Sequence, residues 1–142
     1  MNRALAVLSL AALATGLTTA CAPTSSDVEE HVLDAVADQS SLPVADLLPE
    51  DGAKRFTIAC PYESAADVAA RLDVDAKAVP DLSDSDGVQA LIVVTATGID
   101  TGEFARDRVD LCSTGAAWPA YRGDVDTVLT VTREDDVYVV TR

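Results

Sequence analysis

The run of residues 88–97 constrains the fold more than any other stretch of the chain, because it is apolar almost without interruption. Its apolar members are Val88, Ala90, Leu91, Ile92, Val93 and Val94. Runs of this kind are typical of a strand that is covered on both faces or lies centrally in its sheet. We therefore predict that residues 88–97 form the strongest strand of the protein.

Two helices and a further strand are predicted before this run. Apolar residues recur at helical spacing over residues 27–39, where Ser26 can cap the helix, and over residues 65–73, where Ser64 can do so. Between them, residues 54–60 alternate as in a strand. A short helical turn is expected in the stretch just before that strand, which contains two prolines.

The C-terminal half is dominated by predicted strands. Residues 98–102 are expected to turn, residues 104–112 to form a strand, and residues 126–132 and 137–142 to form an antiparallel hairpin. Consecutive strands after mixed elements predict a single α+β domain over residues 27–142. We expect two layers: a mainly antiparallel sheet of about five strands, with both helices on one of its faces.

Composition excludes some functions. The chain has 142 residues, of which 49% are hydrophobic, so it can bury a core. It carries 24 acidic and 10 basic residues, a net charge of −14 that repels phosphate and argues against nucleic acid as a partner. Three cysteines and one histidine are too few for a multi-ligand zinc site. No metal and no cofactor are expected.

The first twenty residues resemble an export signal. Arg3 precedes residues 4–17, which are uncharged and mostly Ala and Leu, and the run is short for a membrane-spanning helix. The following motif, Leu17-Thr18-Thr19-Ala20-Cys21, resembles the lipobox of bacterial lipoprotein precursors, although Thr18 stands where that family usually has leucine. The resemblance implies cleavage after Ala20 and attachment of lipid to Cys21.

If the resemblance holds, residues 1–20 are a removed signal peptide, and residues 21–26 are the lipidated cysteine with a short tether. The partner at this end would be the membrane, and the protein would lie on its extracytoplasmic face. The alternative is an ordinary secretory cleavage, after Ala20 or after Ala22.

Lipid on Cys21 would leave Cys60 and Cys112 as the other cysteines. In an exported protein an even number of cysteines is typical of a disulfide. We expect a Cys60–Cys112 disulfide, with two buried free thiols as the alternative.

The acidic segment around residues 81–87 resembles a calcium-binding loop only in part. Aligning Gly87 with the invariant glycine of an EF-hand places Leu82 and Val93 at two ligand positions, where oxygen is required. A solvated turn is the preferred interpretation.

His31 is the sole histidine, and no nucleophile motif accompanies it, so we expect a surface histidine and assign no catalytic residue. Trp118 and Tyr121 lie in a connection after Cys112 and form a candidate binding loop, although a role in the core is the preferred interpretation. These observations predict a non-enzymatic binding or interaction module for an unknown protein or small molecule. A hydrolase that uses carboxylates and an ion-binding envelope protein are the alternatives.

Overall fold

The structure, a computed structural model, describes residues 25–49 and 52–142. In chain order its elements are α1 (Ser25–Val36), β1 (Ser41–Pro43), a 3-10 helix (Val44–Leu47), β2 (Arg55–Ala59), α2 (Ala65–Leu72), a 3-10 helix (Ala76–Ala78), β3 (Val88–Val94), β4 (Ile99–Ala105), β5 (Val109–Asp110), β6 (Tyr121–Arg122), β7 (Val128–Glu134) and β8 (Val137–Thr141). The two predicted helices, the strand predicted at residues 88–97 and the C-terminal hairpin are confirmed. Helix α2 is capped as expected, since the Asp67 N–H donates to Ser64 Oγ at 3.2 Å.

The strands form two four-stranded sheets. Sheet I has the order β4-β3-β2-β6 and sheet II the order β1-β7-β8-β5. In the described residues all pairings are antiparallel except that of β5 with β8. The predicted α+β class is confirmed, but the single sheet of about five strands is corrected to two sheets. The β7–β8 hairpin does not extend the β2–β3 sheet, because its apolar face packs against that sheet across a shared core.

The two helices lie against opposite faces of sheet I, which corrects the expectation that they share one face. Phe56 and Ile58 point toward α1 and sheet II, whereas Ala59 points toward α2. Successive residues of a strand face opposite sides, so β2 contributes to both cores. The larger core joins α1 and both sheets, and the smaller one lies under α2.

Strand β3 has the central position predicted for it. It pairs with β2 on one edge and β4 on the other, and its five inner residues are buried. The continuous apolar run follows from this, because α1 and sheet II cover one face of the strand and α2 covers the other.

Strand β4 occupies part of the segment that was expected to turn. The turn is shorter and earlier, at residues 95–98, where Thr95 Oγ1 accepts from the Gly98 N–H at 3.2 Å. Gly102 then lies inside the strand, opposite Leu91. A Cβ at Gly102 would come within 2.4 Å of a Val28 methyl group, so the glycine is needed where α1 crosses the strand.

We predict that Gly102→Ala lowers the free energy of unfolding by about 1–3 kcal/mol, because Val28 is β-branched and buried and can move only with its helix. Gly98→Ala is the matched control, since a Cβ there meets nothing within 4 Å. Urea denaturation of both variants measures the difference. Equal midpoints would show that α1 does not approach β4 this closely.

Candidate functional site

A disulfide joins the two sheets at one end of the shared core. Cys60 directly follows β2 of sheet I, and Cys112 lies two residues after β5 of sheet II. Their Cα atoms are 5.6 Å apart and their sulfur atoms are bonded. Both residues are buried, at 5% and 4% exposure. The predicted pairing is thus present in the structure.

A carboxylate holds the backbone at Cys60. The Cys60 N–H donates to Glu63 Oε2 at 2.7 Å. Arg71 of α2 clamps the same carboxylate through both of its terminal nitrogens, one of them 3.0 Å from Oε2. Glu63 is therefore tied to the start of the 60–63 segment and to α2 at once.

The same arrangement recurs at Cys112. Its N–H donates to Asp110 Oδ1 at 2.7 Å, and Arg106 grips that carboxylate through Nε at 2.9 Å and Nη2 at 2.6 Å. The hydrogen bond to Asp110 raises the pKa of Arg106 above its ordinary value, and this effect outweighs the opposing effect of partial burial.

A cleft of about 480 Å³ opens over the disulfide. One side is formed by the segment Pro61, Tyr62 and Glu63, and the other by small residues of the 113–117 segment. Glu63 and Arg106 are the two charged residues that line it. Both are bound to partners of opposite charge, so the cleft has little net charge of its own.

Tyr62 is the most exposed large hydrophobic residue in the described part of the chain, at 70%. Its φ of 67° lies in the left-handed region, which is unusual for a bulky side chain. Its N–H donates to the carbonyl groups of Leu82 at 2.9 Å and Ser85 at 3.2 Å, which fixes the backbone. A non-glycine residue in this region costs about 1–3 kcal/mol, and such strain is concentrated at functional sites.

The rings of Trp118 and Tyr121 are buried, as the preferred interpretation from the sequence expects, so neither offers a surface to a partner. Trp118 is 2% exposed and donates from Nε1 to the Leu111 carbonyl at 2.7 Å, and Tyr121 packs on Phe56 with ring centroids 5.5 Å apart. Both rings fill the core beneath the loop. The preceding residues 113–117 are all exposed, so this connection reaches the cleft through its small side chains.

His31 and the acidic segment lie outside the cleft lining. The His31 ring nitrogen Nε2 is 3.2 Å from the Asp46 carbonyl oxygen. Asp81 forms a turn: hydrogen bonds from the side chain and backbone of Ser83 lower the pKa of Asp81. Leu82, at one of the two failed calcium-ligand positions, is buried. Among the residues described, no three His, Cys, Asp or Glu side chains group so as to hold a metal.

Cys21 and the rest of the lipobox lie outside the described residues. Within 25–49 and 52–142, no helix combines the length and the apolar character needed to span a bilayer. Comparison with known protein families, curated proteins and solved structures finds no match to this chain.

Sequence reasoning missed Tyr62 and both carboxylate–arginine pairs. The only signal for Tyr62 was its place two residues after a half-cystine, and the only signal for Arg106 and Asp110 was a spacing of four residues. Neither pattern is specific, so the cleft emerges only when the two cysteine-bearing segments meet.

Proposed function

We propose that this protein is a lipid-anchored binding module of the bacterial cell envelope, attached through Cys21, that binds its ligand in the cleft over the Cys60–Cys112 disulfide. The observation that carries the proposal is that disulfide. Stable disulfides belong to oxidising compartments such as the extracytoplasmic space. The pairing leaves Cys21 as the third cysteine, and the lipobox resemblance gives that cysteine a role.

The charges of the cleft favour binding over hydrolysis. A carboxylate that acts as a general acid or base must reach the substrate with its proton-carrying oxygen. Glu63 is instead held by Arg71 and the Cys60 N–H, and Arg106 is held by Asp110. These pairs support a cleft of fixed shape.

The overall charge supports a covalent anchor. At −14 the chain is repelled by anionic lipid headgroups as well as by nucleic acid. Stable residence at a membrane then requires acyl chains, and two or more are needed because one alone gives only marginal binding.

We predict that Cys21→Ala releases the protein from the membrane fraction of a bacterial host that processes lipoproteins. A labelled fatty acid should be incorporated into the wild type and not into the variant. Thr24→Ala, a change within the tether that keeps the cysteine, is the control and should stay membrane-bound. If the Cys21→Ala variant stays in the membrane fraction, the assignment of Cys21 as the site of the lipid anchor is wrong.

The cleft is tested by photo-crosslinking in living cells. A photoreactive residue at Ser113, on the cleft wall, should capture a ligand, whereas one at Asp136, in the β7–β8 turn, should not. Capture that is equal at both positions, or absent at Ser113, would contradict the assignment of the cleft.

A further inference from the structure

Tyr62 differs from the other residues that share its backbone conformation. The described non-glycine residues with positive φ are Asp38, Tyr62, Asp73 and Asp135. Three of the four are aspartates, a residue type that tolerates the left-handed region and that turns commonly use. Turn geometry alone therefore does not account for a tyrosine at this position.

The ring of Tyr62 is left on the surface by a rigid framework. Phe56, Phe104, Trp118 and Tyr121 are all buried, so the fold places these aromatics in its core. The backbone of Tyr62, in contrast, is hydrogen-bonded to two carbonyl groups of the 82–85 segment and lies next to the disulfide. An aromatic face that is open to solvent and is carried by a fixed backbone suits stacking against a flat apolar surface.

The charge balance of the cleft restricts the ligand. Glu63 and Arg106 each have a bound partner of opposite charge, and the protein as a whole is strongly acidic. An anionic ligand would meet a repulsive field and no unpaired cation. The remaining hydrogen-bonding capacity belongs to neutral groups, such as the Ser113 hydroxyl and exposed peptide groups of the 113–117 segment.

The volume of the cleft and the residues that line it suit a ligand with a small polar ring. The cleft of about 480 Å³ lies within the range of small-molecule sites, roughly 300–1,000 Å³. The cleft residues opposite Tyr62 have small side chains or none, as in Ser113, Gly115 and Ala117. The ring of a ligand can therefore approach the backbone on that side. A pyranose sugar combines a flat face of C–H groups with a rim of hydroxyl groups, which matches an aromatic face beside a polar wall.

We infer that the cleft binds an uncharged pyranose sugar, with one face of its ring stacked on Tyr62 and its hydroxyl groups directed at Ser113 and the neighbouring peptide groups. The inference rests on the proposed function, since it names the ligand class of the same cleft. A proline-rich peptide, which also docks on aromatic residues, is the competing occupant.

The test is a binding titration followed by the amide NMR signals of residues 60, 62, 63 and 113–117. The probes are glucose, galactose, mannose and N-acetylglucosamine with their disaccharides, glucuronate as a charged analogue, and decaproline as the competing ligand. At least one neutral sugar should shift these signals, and glucuronate should bind at least about tenfold more weakly because of its charge.

The variants separate stacking from structure. Tyr62→Ala should weaken binding of that sugar at least about tenfold, Tyr62→Phe should keep most of it, and Tyr138→Phe, away from the cleft, should change nothing. Tyr62→Gly should also abolish binding while its urea midpoint stays unchanged or rises, because glycine relieves the positive φ. A lower midpoint would mean that Tyr62 serves the fold and would overturn the inference.

The remaining outcomes distinguish this inference from the proposed function. If no neutral sugar shifts the cleft signals while the photoreactive residue at Ser113 still captures a ligand in cells, the inference of a sugar ligand is wrong. The proposal that the cleft is a binding site is then still supported. If decaproline binds and its binding depends on Tyr62, the ligand class is a proline-rich peptide and the inference of a sugar is wrong. If sugar binding and capture at Ser113 both fail, both proposals are wrong.

Discussion

Replacing Cys60 and Cys112 together by alanine is expected to lower the free energy of unfolding by about 4 kcal/mol. The two cysteines are 52 residues apart, and closing a loop of that length removes about this much conformational free energy from the unfolded chain. Domains of this size are stable by about 5–15 kcal/mol, so the loss is a large share of the total. Urea denaturation of the double variant against the wild type measures it.

The controls isolate the bond from the side chains. Reducing agent should destabilise the wild type by a similar amount and leave the double variant unchanged. Cys21→Ala, which keeps the Cys60–Cys112 disulfide, should unfold at the wild-type midpoint. A double variant within about 1 kcal/mol of the wild type would contradict the cross-link as the main constraint between the sheets.

Gln89→Leu is expected to lower the free energy of unfolding by about 2–5 kcal/mol. Gln89 lies on β3 of sheet I and is fully buried, yet its amide reaches the short strand β5 of sheet II. It donates to the Val109 carbonyl at 2.6 Å and accepts from the Leu111 N–H at 3.0 Å. The amide thus acts on β5 as a neighbouring strand would. Leucine fills similar space but leaves two buried backbone groups unpaired, at about 1–3 kcal/mol each.

Gln39→Leu is the matched control, since Gln39 is exposed in the connection after α1 and its replacement should change stability little. Hydrogen exchange offers a second measurement: the Leu111 amide should lose its protection in Gln89→Leu, while the amides of β7 and β8 lose less. If the Leu111 amide stays protected, the bridge between the sheets is not the cause of the destabilisation.

Much of the local structure could be predicted because its causes are local. Ser64 caps α2, and the hairpin of β7 and β8 turns through Asp135 and Asp136, as their alternation and polar turn indicate. The buried run of β3 likewise indicates cover on both faces. The error at Gly102 arose because glycine is common both in turns and at close contacts between elements. We expected a turn at Gly102, whereas this glycine leaves space for the side chain of Val28.

The candidate site was only half predictable. The pairing of Cys60 with Cys112 was predicted because the lipobox resemblance assigns Cys21 to lipid, but the cleft over the bond depends on which loops the bond brings together. Trp118 drew attention as the sole tryptophan and is a core residue. Tyr62 was not selected from the sequence, because its exposure and its φ depend on the folded structure and cannot be read from composition or periodicity.

By itself, the sequence determined the positions of the helices, the hairpin and the central strand, and the acidic net charge that argues against nucleic acid as a partner. Periodicity reports which residues of an element are buried, because that depends on neighbours along the chain. It does not report what covers them. Only the tertiary structure decided that the strands divide into two sheets, that α1 and α2 take opposite faces of one of them, and that Gln89 completes a strand of the other. Those outcomes depend on contacts between segments far apart in the chain, and the same apolar pattern could satisfy more than one arrangement of them.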